Sequence, residues 1–245
     1  MGYVLPRAVI VLIAWGTTCL IMHYCTTVDP LIFYIAGGVW ALVGLIAFGY
    51  LHKLRREESA RGLTFDYCLI TVGSSLNRAP SDQRWEKGDV LSLDSGGNYH
   101  GYIGDVARMG VAGEPDAELV ELLAEVEAIE QASMKPIRPG ALGKDIYAAA
   151  NAVLHRSKVH NHTHFLAHGM GLVSHEAPRL TNSGPVPYDA YDADRPLETG
   201  MVISVETTLQ HPQRGFIKLE DTVVVTPTGH EVYGDRIRGW NRAGV

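Results

Sequence analysis

Two stretches that otherwise look like buried β-strands each carry a glutamate near their middle. Glu206 lies in MVISVETTLQ and Glu220 lies in GFIKLEDTVVVT, where β-branched residues are frequent. A carboxylate among apolar side chains is costly unless a positive group meets it. A fold that buries both strands must therefore bring a cation to them.

Two aspartates extend this requirement to four carboxylates. Asp94 ends the predicted strand DVLSLD, and Asp105 follows in the next predicted strand, with a turn expected at Gly97–Asn98. Such a hairpin can bring both carboxylates to one point. No run of Lys or Arg near these acids predicts their neutralisation, whereas a metal ion could supply it.

The stretch HFLAHGMGLVSHEAP, residues 164–178, adds the histidines His164, His168 and His175, with glycines between the last two. Histidine is costly to bury unpaired, and glycine weakens regular structure, so a binding site is favoured. Four carboxylates and an imidazole form a hard, oxygen-rich ligand set, suited to Mn²⁺ or to Co²⁺, Fe²⁺ or Zn²⁺. Several bridging carboxylates suit two ions about 3.5–4 Å apart.

The residues resemble, in order and local context, the metal ligands of the M24 metallopeptidases. The matching phrases are LDSGGNYHGYIGDVAR, AHGMGLVSHE, MVISVET and KLEDTVVVT, and the resemblance covers roughly residues 60–233. It implies the α+β pita-bread (creatinase/aminopeptidase) fold of methionine aminopeptidase, aminopeptidase P and prolidase. It also implies two divalent metal ions, Mn²⁺ before Co²⁺, Zn²⁺ or Fe²⁺. The implied metal ligands are Asp94, Asp105, His168, Glu206 and Glu220.

The resemblance further implies catalytic roles for three residues. Glu206 would take a proton from the water between the ions and pass it to the leaving nitrogen. His175 and His164 would hydrogen-bond the substrate and the tetrahedral intermediate. The implied enzyme is a metallopeptidase-like hydrolase of the Xaa-Pro aminopeptidase or dipeptidase type. Arg108, which follows the second aspartate, would orient a ligand from behind.

Two other functions remain open. Members of the family usually carry another histidine in the loop before the first aspartate, where this chain has Asn77. Asparagine can hydrogen-bond but cannot take a proton at neutral pH, so a small non-peptide amide is an alternative substrate. A noncatalytic pita-bread binding module is the other alternative, although noncatalytic relatives usually lose ligands and all five are present here.

Each residue alone also has a structural explanation. Asp94 could cap a turn, His164 could be a packed surface histidine, and Glu220 with its neighbour Asp221 could protect an edge strand. These explanations do not account for five residues at family positions.

The region around residues 114–156 predicts two helices. Glu114-Pro115 opens the first, which ends before Pro136, and the second runs from Lys144 to about Arg156. The first predicted helix carries an apolar face, which is formed by Leu119, Leu122, Leu123, Val126 and Ile129. Strands in adjacent pairs with helices between the pairs predict an α+β fold.

Two apolar runs, residues 8–28 and 30–51, contain no Asp, Glu, Lys or Arg. Runs of about 20 apolar residues match a bilayer core, and they predict a transmembrane hairpin in residues 1–56 before a catalytic domain in residues 57–245. A signal peptide is the rival interpretation of the first run. Basic residues outside the hairpin predict a membrane anchor with the catalytic domain facing the cytoplasm.

The same hairpin would stand where family members have helices and a strand, so the domain is expected to be N-terminally truncated. Apolar sheet surface would then be exposed, and an oligomer such as a homodimer would cover it. After residue 56 the chain has 17 Lys and Arg against 26 Asp and Glu, a net charge of −9, which argues against nucleic-acid binding. The expected partners are a peptide or small amide substrate and the membrane.

Overall fold

The structure is a computed structural model that describes residues 62–79, 81–181, 189–234 and 236–244, together with Gly49 and Lys53. The chain divides into two units, residues 1–62 and 63–245, and the description that follows concerns the second unit. The predicted domain boundary after residue 56 stays a prediction.

Along the described part of the chain, four strands come first, then two helices, and then five strands. The strands are β1 (Leu63–Val72), β2 (Val90–Tyr99), β3 (Tyr102–Ile103), β4 (Val106–Ala112), β5 (Thr163–Gly169), β6 (Val202–His211), β7 (Gly215–Thr226), β8 (Gly229–Tyr233) and β9 (Asn241–Ala243). The helices are α1 (Ala117–Met134) and α2 (Gly143–Leu154), with a 3₁₀ turn at His160–His162.

In the described part of the chain, all nine strands form a single sheet in the order β1-β2-β4-β7-β6-β5. Strand β3 pairs with β2, β8 pairs with β7, and β9 pairs with β4. The pairings are antiparallel except that of β4 with β9. Both helices fall between β4 and β5, which confirms the α+β class.

Helix α1 confirms the predicted apolar face. Asp116 caps its start, where the side-chain carboxylate accepts a hydrogen bond from the backbone N–H of Leu119 at 2.8 Å. The five apolar residues predicted for this face are all buried. They join two apolar clusters with residues of β4, β5, β6 and β7, so the helices cover one face of the sheet.

The turn predicted at Gly97–Asn98 is wrong, because β2 continues through both residues to Tyr99. The chain turns instead at His100–Gly101, where φ is 50° and 92°. A Cβ on Gly96 would lie 2.3 Å from the ring of Tyr67. Glycine in this strand therefore makes room for a β1 side chain and does not mark a turn.

The predicted transmembrane hairpin is also wrong. Residues 8–51, on which it was placed, lie outside the described residues except for Gly49. Within the described residues, none of the helices has the length and apolar character needed to cross a membrane. Helix α1 has 18 residues, but five of them are glutamates, which do not suit a hydrocarbon core. The membrane-anchored localisation rested on the hairpin and falls with it.

A network of buried charges ties the C-terminal segment to the sheet and to α1. Arg108 donates to Asp221 at 2.5 Å, and Asp221 also forms an ion pair with Arg238. Arg238 reaches Glu130 of α1 at 3.2 Å and the less buried Glu127 at 2.7 Å. Complete burial raises the pKa of Glu130 to about 8, although Arg238 opposes the rise.

Replacing Glu130 should therefore change how stability depends on pH. The stabilising contribution of its raised pKa is fully present below the ordinary pKa of 4.5 and is lost as the pH rises through about 8. Between these values the folded state keeps the proton and the unfolded state releases it, so the free energy of unfolding falls by up to about 1.4 kcal/mol per pH unit. Glu130→Gln removes this slope, and its stability relative to the wild type should rise with pH.

Urea unfolding of metal-free protein from about pH 5 to about pH 9 measures the effect. Glu121→Gln is the matched control, because it removes an exposed carboxylate from the same helix. Its stability curve should run parallel to that of the wild type. A Glu130→Gln curve with the wild-type slope would contradict the prediction.

Candidate metal centre

The register of the sheet places three of the four predicted acids in one row. Asp94 pairs with Ala107, Ala107 pairs with Glu220, Glu220 pairs with Glu206, and Glu206 pairs with Leu166. Residues directly opposite each other in an antiparallel pair point to the same face. The three carboxylates of this row therefore project from the same face of the sheet.

Residues two positions along each strand share that face, because side chains alternate. His168 lies two residues beyond Leu166, and Asp105 lies two residues before Ala107. His164 and Lys218 also lie on this face. Both pair with Thr208, which lies two residues beyond Glu206 in β6. The structure thus brings all five predicted ligands together.

Asp105, His168 and Glu220 form the tightest group. Each offers one ligand atom, and these atoms lie within 4.8 Å of one another. All three residues are buried. Thr222 supports Asp105 from behind: its hydroxyl donates to the Asp105 carbonyl at 2.9 Å and accepts from the Asp105 N–H at 3.1 Å.

The donor atoms of this group fit a divalent cation. His168 Nδ1 lies 3.2 Å from the carbonyl of Gly169, which leaves Nε2 to present a lone pair. Among the described residues, neither His168 Nε2 nor Asp105 Oδ1 has a hydrogen-bond partner, although both are buried. Nε2 is 3.8 Å from Glu220 Oε1, beyond hydrogen-bond length. Buried acceptors without donors are what a metal ion would satisfy.

Lys218 is a site residue that sequence reasoning missed. Its Nζ lies 2.6 Å from Asp94 Oδ2, 2.5 Å from Glu206 Oε2 and 2.8 Å from Glu220 Oε2. Burial alone would lower the pKa of Lys218, but the three carboxylates raise it well above its ordinary value. The expectation that no Lys or Arg could neutralise these acids is therefore wrong. The sequence did contain one signal for this contact. Lys218 lies two residues before Glu220 in the same strand, so the two side chains point to the same face.

Arg78 is the second missed cation. Its guanidinium forms an ion pair with the same Asp94 Oδ2 and lies over the ring of Phe216, 5.6 Å from the centroid. The neighbouring Asn77 uses its side-chain oxygen to accept the N–H of Ala79 at 2.9 Å. The loop before β2 therefore delivers Arg78 to the carboxylates, while Asn77 stabilises the loop itself.

Three of the carboxylates have shifted pKa values. Burial, reinforced by the charge of Glu220, raises the pKa of Asp105 to about 9. Burial and Glu220 likewise raise the pKa of Glu206. Burial would also raise the pKa of Glu220, but Lys218 and hydrogen bonds, including one from Ser204 at 2.6 Å, hold it well below its ordinary value. Without a metal, the ionised Glu220 thus disfavours ionisation of Asp105 and Glu206.

Two further histidines line the cluster. The ring of His175 stacks on that of His168, with centroids 3.7 Å apart and an interplanar angle of 8°. Burial, then the adjacent His168, lowers the pKa of His175 to about 4, so this imidazole is neutral at neutral pH. Partial burial and Lys218 lower the pKa of His164 as well. Both can therefore exchange hydrogen bonds without carrying a charge.

Gly169 makes the stacking possible. Its N–H donates to Pro178 at 3.1 Å and its carbonyl accepts from Glu176 at 2.9 Å, which folds the loop back onto β5. A Cβ on Gly169 would lie 2.1 Å from the backbone of Ala177. The close approach of two backbones holds His175 against His168 and requires glycine.

Arg108 acts behind the site. Its guanidinium donates to the backbone carbonyl of Glu220 at 2.9 Å and to the side chain of Asp221 at 2.5 Å. It therefore fixes the strand that carries Glu220 through the backbone of that strand.

Comparisons with known proteins agree with this geometry. The chain is 31% identical over 183 residues to an Xaa-Pro dipeptidase of Pyrococcus furiosus, a match that covers 74% of this chain and 49% of that protein. Two crystal structures resemble it. Dipeptidase PepE from Mycobacterium ulcerans has a TM-score of 0.64 and 26% identity, covering 74% of this chain and 48% of that one. The X-Pro aminopeptidase from Thermotoga maritima has a TM-score of 0.63 and 26% identity, covering 72% and 49%.

The chain spans about half the length of the curated relatives it matches. The match to the description of metallopeptidase family M24 runs over residues 46–227. The match therefore includes the end of the second apolar run. The curled α+β sheet is the pita-bread fold predicted from the resemblance, and the chain belongs to metallopeptidase family M24.

Proposed function

We propose that this chain is a metal-dependent hydrolase that cleaves a C–N amide bond, most simply in an Xaa-Pro peptide. The observation that carries the proposal is the group of buried donor atoms of Asp105, His168 and Glu220, two of which have no hydrogen-bond partner among the described residues. Relatives named Xaa-Pro dipeptidase and X-Pro aminopeptidase support the substrate class.

The ligands we assign are Asp94, Asp105, His168, Glu206 and Glu220. A bound divalent ion would supply a water of lowered pKa and polarise the scissile carbonyl. The carboxylate-rich donor set favours a hard ion, so Mn²⁺ is the first ion to test. The resemblance implies two ions, and that number stays a prediction, as does a homodimer.

Glu206 is the residue that we propose takes and gives the proton. Its side chain is 13% exposed, whereas that of Glu220 is 2% exposed, so Glu206 can face both buried atoms and entering water. Its raised pKa suits a carboxylate that takes a proton and then gives it to the leaving nitrogen. His175, neutral and held by stacking, and His164 would hydrogen-bond the substrate around the scissile bond.

A small non-peptide amide is the second candidate substrate. The loop before β2 is the reason to test it, because the Asn77 side chain accepts the N–H of Ala79 and cannot take a proton, while the positively charged Arg78 pairs with Asp94. A noncatalytic binding module is a weaker candidate, because its donor atoms would remain buried without partners.

Metal-dependent hydrolysis tests the proposal. The full chain, loaded with Mn²⁺, is assayed against Xaa-Pro dipeptides, longer Xaa-Pro peptides and small amides, and again after chelation. Hydrolysis of an Xaa-Pro peptide that is lost on chelation supports the peptidase. Turnover of small amides alone supports the second candidate, and no turnover by a metal-loaded chain supports the binding module.

The position of Asn77 gives a specific prediction. We expect Asn77→His to raise kcat/KM for Xaa-Pro dipeptides by at least about tenfold, because an imidazole there could move a proton and an amide cannot. Leu76→His is the matched control, since it puts the same group on the neighbouring exposed residue. Equal rates for Asn77→His and the wild type would indicate that a histidine at this position is not what limits peptide hydrolysis.

A further inference from the structure

We propose that Lys218 is a resident cation that replaces one of the two divalent ions implied by the family resemblance, so that the centre binds a single ion at Asp105, His168 and Glu220. This inference rests on the proposed function in taking Asp105, His168 and Glu220 as metal ligands. It changes the assignment of Asp94 and Glu206, which bind Lys218 in place of a second ion. It concerns the number of ions and the occupant of the other half of the centre.

The contacts of Lys218 saturate its ammonium group. An ammonium has three N–H donors, and Nζ lies within 2.8 Å of one oxygen from each of Asp94, Glu206 and Glu220. The side chain is only 6% exposed, so these carboxylates replace its water. A divalent ion bound by the same oxygens would have to take the place of Nζ.

The positively charged side chains contact one end of the cluster. The metal-ligand atoms without hydrogen-bond partners lie at the other end. Asp94 Oδ2 is shared by Lys218 and Arg78. In contrast, none of the ion pairs among the described residues includes Asp105, and its Oδ1 atom and His168 Nε2 are both buried without a hydrogen-bond partner. The structure therefore has one end already neutralised by the protein and one end prepared for an ion.

Charge balance points to the same number. When a metal ion keeps all four carboxylates ionised, they carry four negative charges, and Lys218 and the partly exposed Arg78 supply two positive charges. One divalent ion makes this buried cluster neutral, whereas two would leave it with an excess of two positive charges. An unbalanced buried charge is strongly disfavoured, so the second ion should not bind while Lys218 stays in place.

Manganese binding to the full chain tests this inference. Titration calorimetry and elemental analysis with Mn²⁺ alone should show one tight site per chain, with any second ion bound at least about 100-fold more weakly. The bound Mn²⁺ should give the electron paramagnetic resonance spectrum of an isolated ion. Two tight sites in the wild type, or the spectrum of a spin-coupled pair, would overturn the inference.

Variants of Lys218 identify the cause. Lys218→Gln and Lys218→Met remove the ammonium and should bind a second Mn²⁺ at least about tenfold more tightly than the wild type does. Lys158→Gln, which removes an exposed lysine paired with Glu121, is the control and should still bind one ion. A single metal site in folded Lys218→Gln would contradict the role of Lys218. If neither variant folds, the stoichiometry and the spectrum of the wild type still decide how many ions bind.

Failure of the inference and failure of the proposed function give different results. Two coupled ions in the wild type with peptide hydrolysis would reject the resident cation and leave the metallopeptidase intact. No binding of Mn²⁺ by the wild type or any variant would reject both.

Discussion

Asp105→Asn should abolish tight metal binding and, with it, hydrolysis. Asp105 supplies a buried oxygen that has no hydrogen-bond partner among the described residues, next to His168 Nε2 and Glu220. An amide oxygen has nearly the same shape but carries no charge, so it is a poor ligand for a divalent ion. The loss should exceed the roughly 10–100-fold that follows mutation of groups behind metal ligands.

Calorimetric titration with Mn²⁺ and the rate of substrate hydrolysis measure this loss. Asp82→Asn, which makes the same change on an exposed loop, should behave as the wild type. A folded Asp105→Asn protein that binds Mn²⁺ with wild-type affinity would show that Asp105 is not a ligand.

Gly169→Ala should destabilise the fold and disorganise the histidine pair. The added Cβ would lie 2.1 Å from the carbonyl carbon and oxygen of Ala177 and 2.2 Å from the nitrogen of Pro178. These are backbone atoms, so β5 and the loop must separate, at a cost of about 3 kcal/mol or more. Separation also moves His175 away from His168 and should weaken catalysis in the protein that remains folded.

Urea unfolding gives the stability, and the midpoint should fall without a change in slope. Gly104→Ala is the matched control beside the same site, because its added Cβ would meet nothing closer than 4.0 Å. Wild-type stability in Gly169→Ala would mean that the two backbones do not approach as closely as the structure places them.

The five predicted ligands could be proposed from sequence because four of them stand in strands with an evident pattern and Asp105 directly precedes one. Glu206 and Glu220 interrupt apolar strands, and strand pairing then places them opposite each other. The burial cost of such carboxylates made a shared cation necessary. This physical requirement, together with the resemblance, led to the predicted site.

The identity of the cations could not be found in the same way. Lys218 looked like an ordinary polar residue in a strand, and only the alternation of side chains places it on the face of Glu220. Arg78 is 16 residues from Asp94 in the chain, and its loop has no periodic pattern. Contacts of this kind depend on loop conformation, which local sequence does not specify.

The close approach at Gly169 and the turn at His100–Gly101 were missed for a related reason. Glycine permits a turn, a close approach or a bulge, and which one occurs depends on the partner strand. Gly96 lies against Tyr67 within the sheet, although the sequence marks it equally well as a turn residue. Apolar content similarly misled the prediction of the hairpin, since none of the helices among the described residues is long and apolar enough to cross a membrane.

Elemental analysis of the purified full chain, before and after exposure to Mn²⁺ or Co²⁺, tests the central claim most directly. The double variant Asp94→Ala/Glu220→Ala is the control, because it removes two of the assigned ligands. We predict a tightly bound divalent ion in the wild type and none in the control. A wild-type protein that retains no metal after either ion is supplied, or a control that binds as well as the wild type, would contradict a metal centre at these residues.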